Sequence, residues 1–147
     1  ECRCTAHEIL RYQKKISGPL LDRIDIQLEV PRIPIDELRK EKTENIEESF
    51  RKHVNAARHI QIERLNKTHP KIYNNAEMTS GQVDELVKLD PRAENFLKQA
   101  LEKAFMSARG YYRLLKVAQT IADLDSSPII KTEHLAEAFQ YRLRANE

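Results

Sequence analysis

The stretch SARGYYRLLKVAQTIADL, from Ser107 to Leu124, decides the fold of this chain. At 100° per residue, its apolar residues fall in one arc of a helix and its basic residues in the opposite arc. The hydroxyl of Ser107 can accept a hydrogen bond from a free amide of the first turn, so Ser107 is the predicted N-cap. The stretch therefore predicts a helix with one buried and one cationic face. The buried arc contains Ala108, Tyr111, Leu114, Leu115, Ala118, Ile121 and Ala122, and the cationic arc contains Arg109, Arg113, Lys116 and Thr120.

Arg109 stands in the first turn of this predicted helix, where the positive end of the helix dipole disfavours a cation. An arginine in that place calls for an anionic partner. The sequence leaves open whether the partner is a neighbouring carboxylate or the phosphate of a ligand. Arg109 is therefore a candidate phosphate contact.

Composition limits both the fold and the function. The 147 residues suit one ordinary domain that can bury its own core. Three glycines, six prolines and a charged fraction of 33% favour helix. The net charge of +2 argues against general nucleic-acid binding, although a local basic face can still contact phosphates. No run approaches the roughly 20 apolar residues of a membrane helix, so we expect a soluble, cytoplasmic protein with no membrane contact.

The first part of the chain contains one helix signal and one strand signal. Thr5 and Glu8 form a capping box, which predicts a helix over about residues 6–15. Apolar and polar residues alternate over residues 24–30, which predicts a strand that Pro31 ends. The rest of the sequence offers this strand no partner, so either it pairs between chains or its sheet lies outside this chain.

Everything after Pro31 is predicted to be helix and connector. Helices are expected over about residues 34–40, 44–66, 80–87 and 91–105, and again from residue 132. Thr79 or Ser80 is the expected cap of the third of these helices, and Thr132 that of the last. The inward positions are Ile46, Phe50, Val54, Ala57, Ile60, Ile62 and Leu65 in the long helix, and Leu135, Ala138, Phe139 and Leu143 in the last.

Motifs of self-sufficient nucleotide enzymes are missing from the sequence. It contains no GxxxxGK[ST] phosphate loop, no GxGxxG and no HExxH. Arg23, in the segment SGPLLDRID, follows a predicted helix and precedes the predicted strand. A planar guanidinium held at such a turn is suited to a transferring phosphoryl group on a neighbouring molecule. The alternative is that Arg23 pairs with Asp22 or Asp25.

Three segments together resemble the C-terminal part of the magnesium-chelatase-like AAA+ ATPases, specifically the ComM-type competence group. They are SGPLLDRIDI (residues 17–26), SARGYYRLLKVAQTIADL (residues 107–124) and HLAEAFQYR (residues 134–142). The resemblance implies a mainly α fold, in which an AAA+ C-terminal helical lid bundle carries one strand and one helix left from a truncated α/β core. Residues 1–31 would be the C-terminal edge of that core and residues 32–147 the helical lid domain.

The same resemblance implies roles for two arginines. Arg23 matches the arginine finger, which reaches the nucleotide of the adjacent subunit, and Arg109 matches the sensor-2 arginine of the lid, which senses the γ-phosphate. The Walker A and Walker B motifs would lie in a missing N-terminal core, so we expect the fragment alone to bind no cofactor and to be inactive. The full-length parent would use ATP and Mg²⁺, assemble into a homo-oligomeric ring, expected to be a hexamer, and act on DNA.

The chain departs from the family pattern in two places. Gln119 replaces an expected arginine, which casts doubt on a charge role there. Cys2 and Cys4 resemble the second half of a four-cysteine cluster, but two thiols, even with His7 nearby, do not complete a tetrahedral zinc site. We therefore expect no metal in this chain.

A competing hypothesis remains open. The chain would then be a non-enzymatic helical module that binds a protein or nucleic acid through Arg109, Arg113, Lys116 and the long helix. Arg58 and Gln61 share one face of that long helix and could contact the core, DNA or a neighbouring subunit, or simply lie in solvent. The sequence gives them no role.

Overall fold

The computed structural model describes residues 3–13, 15–21, 23–34, 46–104 and 106–142, and it is mainly α-helical. We label the helices in chain order. They are α1 (Ala6–Gln13), α2 (Gly18–Leu21), α3 (Ile46–Asn66), a 3₁₀ turn (Asn75–Glu77), α4 (Ser80–Leu86), α5 (Pro91–Ala104), α6 (Ala108–Leu124) and α7 (Thr132–Gln140). The helix predicted over residues 34–40 lies almost wholly outside the described residues.

Helix α6 is the central element, and it packs against α3, α4, α7 and the 3₁₀ turn. Its predicted cap is confirmed, because the Ser107 Oγ accepts a hydrogen bond of 3.1 Å from the Gly110 amide. The predicted inward face is confirmed at its centre, whereas Ala108 at the first position is exposed. The inward residues that are fully buried are Leu114, Leu115, Ala118 and Ala122.

Local capping also fixes the neighbouring helices. The Thr79 hydroxyl accepts from the Gln82 amide while the Gln82 side chain accepts from the Thr79 amide, which confirms the start of α4. The Asp90 carboxylate accepts from the Ala93 amide at 2.6 Å and starts α5. The prediction that Thr132 caps α7 is wrong. The helix begins at Thr132 itself, and the His134 Nδ1 accepts from the Lys131 amide instead.

The predicted strand over residues 24–30 is not formed. These residues have no regular secondary structure, and none of the described residues forms a strand. The Gln27 amide donates to the Tyr141 carbonyl at 3.0 Å rather than to a neighbouring strand. Apolar and polar residues do alternate here, but without a partner strand a lone strand cannot form the hydrogen bonds that its backbone groups need. Its apolar side chains are therefore exposed, namely Ile24, Ile26, Leu28 and Val30.

The long helix α3 is buried only toward its C-terminal end. Ala57 and Leu65 are buried as predicted, and Ile60 is half-buried. The residues over 46–56 are exposed on every side of the helix, which contradicts the inward positions predicted there. The apolar residues that this leaves in solvent are Ile46, Phe50 and Val54, together with Ile62 further along.

A buried ion pair joins α3 to α6. The Arg64 guanidinium donates to both oxygens of Asp123, at 2.6 and 2.7 Å, and to the Asn75 side chain at 2.9 Å. Asn75 and Gln119 complete the cluster by donating to the same carboxylate at 2.8 and 3.0 Å. The Asp123 side chain is 0% exposed, so these bonds replace its whole hydration shell.

We expect Asp123→Ala to lower the free energy of unfolding by about 3–5 kcal/mol, because it leaves the Arg64 charge without its buried partner. Urea unfolding followed by circular dichroism measures the loss. The matched control is Glu63→Ala, next to Arg64 but exposed, which should cost under about 0.5 kcal/mol. The double variant Arg64→Met/Asp123→Leu should recover only part of the loss, because neither charge remains but the buried Asn75 and Gln119 side chains lose hydrogen-bond partners. A loss below about 1 kcal/mol for Asp123→Ala would contradict the network's role.

The capping box of α1 makes this helix sensitive to acid. The Thr5 amide and hydroxyl both donate to the Glu8 carboxylate, at 2.7 and 2.8 Å, and the amide bond is the larger cause of the lowered pKa of Glu8. Because the folded pKa lies below the unfolded one, the stabilisation is present above the ordinary value of 4.5 and is lost as the pH falls through the folded pKa.

We expect the helical Cα chemical shifts of residues 6–13 to decrease as the pH is lowered below 4.5, while those of α6 stay constant. An NMR pH titration measures this. Glu8→Gln should remove the acid-dependent step, because the amide cannot titrate. An identical titration of α1 in both proteins would mean that another group controls its acid sensitivity.

Candidate functional site

Arg109 lies in the first turn of α6, next to the cap Ser107, and its side chain is exposed. Within the described parts of the chain, no hydrogen bond or ion pair engages its guanidinium. The neighbouring carboxylate that the sequence left open as its partner is therefore not found among these residues. A cation is held at the positive end of a helix with its donors directed to solvent, an arrangement that favours an external anion.

The end of α6 that carries Arg109 is held rigidly. Tyr112 donates its hydroxyl to the Asp84 carboxylate of α4 at 3.1 Å, and this bond raises the pKa of Tyr112. The Tyr112 ring packs edge-on against the Tyr111 ring, with 5.1 Å between the two ring centroids. Gly110 is buried, and a Cβ there would lie 2.7 Å from the Met106 Cγ, so glycine allows the preceding segment to approach closely. These contacts fix the backbone from which Arg109 extends.

Arg23 lies in the turn that follows α2. Its amide donates to the Leu20 carbonyl at 3.0 Å, and its side chain is exposed. The alternative pairing with Asp25 is not observed, because that carboxylate pairs with Arg113 instead. Asp22, the other alternative, lies outside the described residues.

Arg113 lies on the same helix as Arg109 and contacts the segment that carries Arg23. Its Nη1 donates to the Arg23 carbonyl at 2.6 Å and to the Asp25 carboxylate at 2.5 Å. It follows Arg109 by four residues, so both lie on the same face of α6. Sequence analysis placed Arg113 on a cationic face and missed these bonds, because their partners are 88 and 90 residues away and no local signal marks them.

Lys116, one turn further along, is also engaged within the chain. Its Nζ donates to the Ala76 carbonyl at 3.1 Å. Burial lowers the pKa of Lys116, although the nearby Asp25 carboxylate acts in the opposite direction. The predicted cationic face therefore presents Arg109 to solvent, while Arg113 and Lys116 are committed to internal contacts. This weakens the hypothesis of a module that binds its partner through all three cations.

Arg58 and Gln61 form a side-chain hydrogen bond of 3.2 Å on α3. Gln61 is buried, and both residues line a cleft of about 270 Å³ together with Asn75 and Thr120. Among the described residues, neither Arg58 nor Gln61 is in contact with Arg23 or Arg109.

One group of possible metal ligands occurs among the described residues: Asp125, Glu133 and His134, with ligand atoms within 4.8 Å of one another. The His134 Nδ1 accepts from a backbone amide, so its Nε2 carries the proton, 3.3 Å from Asp125. The Lys131 ammonium lies 3.4 Å from Glu133. The protonated ring nitrogen and the ammonium both disfavour a bound metal cation. The three side chains are better explained by their place at the N-terminal end of α7. Cys4 is exposed, and Cys2 lies outside the described residues.

Comparison with known proteins identifies relatives along nearly the whole chain. The family described as magnesium chelatase, subunit ChlI C-terminal, matches residues 44–142, and magnesium chelatase, subunit ChlI, matches residues 1–38. The competence protein ComM of Haemophilus influenzae is 39% identical over 145 residues, which is 95% of this chain and 26% of ComM. The uncharacterised protein YifB of Escherichia coli is 40% identical over 141 residues, 95% of this chain and 27% of YifB. The chain thus spans about a quarter of the length of these relatives.

The helical fold and these matches define the class of the chain, which is a mainly α-helical C-terminal domain of the AAA+ type. Within this class the chain belongs to the magnesium chelatase ChlI C-terminal family, and it is of the ComM type. No helix among the described residues has the length and apolar character needed to cross a membrane.

The position of Arg109 predicts an unusual effect on stability. Arg109→Glu should raise the free energy of unfolding by about 0.3–1 kcal/mol, because it replaces a disfavoured cation at the N-terminal end of α6 with a favoured anion. Ser107→Ala, which removes the cap beside it, should lower the same quantity by about 1 kcal/mol. Urea unfolding at low ionic strength measures both. A destabilised Arg109→Glu variant would show that Arg109 has an anionic partner within the chain.

Proposed function

We propose that this chain is the lid and arginine-finger-bearing part of a ring-forming AAA+ ATPase that couples ATP hydrolysis to DNA remodelling of a helicase or branch-migration type. The observation that carries the proposal is the exposed guanidinium of Arg109, which extends from the first turn of α6 and has no anionic partner among the described residues. Residues 1–31 would be the edge of the nucleotide-binding core and residues 32–147 the lid. The family matches over residues 1–38 and 44–142 support a division in this region.

Two residues would act on the nucleotide. Arg109 would contact its γ-phosphate as the sensor-2 residue, since a guanidinium can bind phosphate oxygens through two hydrogen bonds. Arg23 would reach the nucleotide of the adjacent subunit as the arginine finger, where it would stabilise the charge that develops during phosphoryl transfer. Both guanidinium groups are exposed, which fits contact with a polyanion. When ATP and Mg²⁺ are bound, ATP supplies the phosphate bond that is hydrolysed.

The remaining partners follow from the family. The phosphate-binding loop would lie in an N-terminal core outside this chain, because the sequence here contains none. A trans-acting arginine requires a neighbouring subunit, and we propose that this subunit belongs to a homo-oligomeric ring, a hexamer. The resemblance to the ComM-type competence group implies DNA as the polymer acted on, and a competence protein ComM of Haemophilus influenzae is among the relatives of this chain. The chain alone is proposed to hydrolyse no ATP.

Steady-state ATPase activity of the complete protein tests the proposal. We expect Arg23→Ala to lower kcat by roughly 10³-fold or more, as is typical for loss of an arginine finger. Mixing it with a variant disabled in the phosphate loop should restore activity, because each variant supplies what the other lacks across a subunit interface. Arg92→Ala, which removes an exposed arginine of α5, is the matched control and should leave kcat unchanged. An active Arg23→Ala variant would overturn the arginine-finger role.

A further inference from the structure

We propose that Arg113 is a positioning residue that couples helix α6, and with it Arg109, to the backbone of Arg23. This inference rests on the proposed function, since it concerns the same two arginines. It adds a physical connection between the residue that contacts one nucleotide and the residue that acts on the nucleotide of the neighbouring subunit.

The connection is a pair of short hydrogen bonds from one guanidinium nitrogen. Arg113 Nη1 holds the Arg23 carbonyl at 2.6 Å and the Asp25 carboxylate at 2.5 Å. The pair is partly exposed, at 28% for Arg113 and 44% for Asp25, so it contributes little to global stability. Its effect is local: it fixes the backbone on both sides of Ile24, directly where the Arg23 side chain begins.

The segment around Arg23 depends on such contacts because it is poorly packed. Residues 23–34 have no regular secondary structure. A cleft of about 350 Å³ separates part of this segment from α6 and α7, and it is lined by Ile26 and Leu28 on one side and by Val117 and Tyr141 on the other. Dense side-chain packing therefore does not hold this part of the segment, and polar contacts to Arg113 and to the Tyr141 carbonyl do.

The helix that carries Arg113 gives the Arg23 backbone a defined position. Arg109 and Arg113 are separated by one turn of a continuous α-helix, so their backbones keep one relative position. Loss of the Arg113 contacts would let the Arg23 carbonyl shift relative to Arg109. An arginine finger must be placed within about 1 Å to be effective, so a small shift is sufficient to change the rate at the adjacent site.

Hydrogen exchange on this chain tests the structural part. The amides of Ile24 and Gln27 are hydrogen-bonded, to the Leu21 and Tyr141 carbonyls, and report on the segment. Arg113→Ala should raise their exchange rates roughly tenfold. Arg113→Lys should do nearly the same, because the lysine side chain is shorter and its ammonium is more strongly hydrated, so it cannot hold both acceptors that Nη1 contacts. Asp25→Asn, which keeps an acceptor oxygen, should have a much smaller effect.

Two controls accompany the hydrogen-exchange measurement. The amides of Leu114 and Leu115 must keep their protection in Arg113→Lys, which shows that α6 remains folded in that variant. Arg92→Ala should leave every rate unchanged. Unaltered exchange at Ile24 and Gln27 in both Arg113 variants would overturn the inference.

ATPase kinetics of the complete protein test the functional part. Arg113→Lys should lower kcat at least tenfold with an unchanged KM for ATP, because a positioning residue acts on the Arg23 backbone and not on the bound nucleotide. Arg109→Ala, which removes a nucleotide contact, should raise KM. If Arg23→Ala is inactive but Arg113→Lys retains the wild-type kcat, the positioning role is wrong while the proposed function stands. If Arg23→Ala is active, the proposed function fails, and any exchange effect shows only that Arg113 holds the segment.

Discussion

The buried carboxylate of Asp123 is the constraint on which the arrangement of the helices depends. It accepts four hydrogen bonds, two of them from Arg64 and one each from Asn75 and Gln119. A buried charge that lost these donors would be costly, so the structure must hold α3, the 3₁₀ turn and α6 in one relative position. The direction of α6 is thereby fixed at its C-terminal end. Because Tyr112 fixes the other end on α4, the face that carries Arg109 has a defined orientation.

The sequence predicted the features whose causes are local. The caps at Ser107 and Thr79 and the capping box at Thr5 were predicted correctly, because each depends on residues three positions apart. Features with distant causes were missed. An amphipathic pattern assigns polar residues to solvent, so it could not predict that Gln119 and Asp123 are buried, since Arg64, the partner of Asp123, lies 59 residues before it. The strand over residues 24–30 failed for the related reason that strands need neighbours, and α3 was predicted to be buried over a length that the bundle does not cover.

The candidate site also contains residues that a local signal identified and residues whose contacts have distant causes. Arg109 was identified from a local conflict between its charge and the helix dipole, and the structure places it in that position. Arg23 was singled out from its place at a predicted turn, and its role came from a family motif; that role stays a prediction, as does the boundary between residues 31 and 32. Arg113 had no distinguishing local signal, since an arginine on the outer face of a helix is usually solvated. Its contacts with residues 23 and 25 arise only from the fold. Gln119 departs from the family pattern but has a structural explanation, because a neutral donor beside Asp123 leaves the single charge of Arg64 to balance the carboxylate.

The exposed N-terminal half of α3 has a thermodynamic consequence. Ile46, Phe50 and Val54 are between 49% and 65% exposed, so the chain retains hydrated apolar surface that its own core does not cover. Covering such surface is driven near room temperature mainly by the release of ordered water, and it produces a negative change in heat capacity. Any association that buries this half of α3 will therefore strengthen with moderate warming and weaken in the cold. An association through Arg109 alone would respond chiefly to ionic strength.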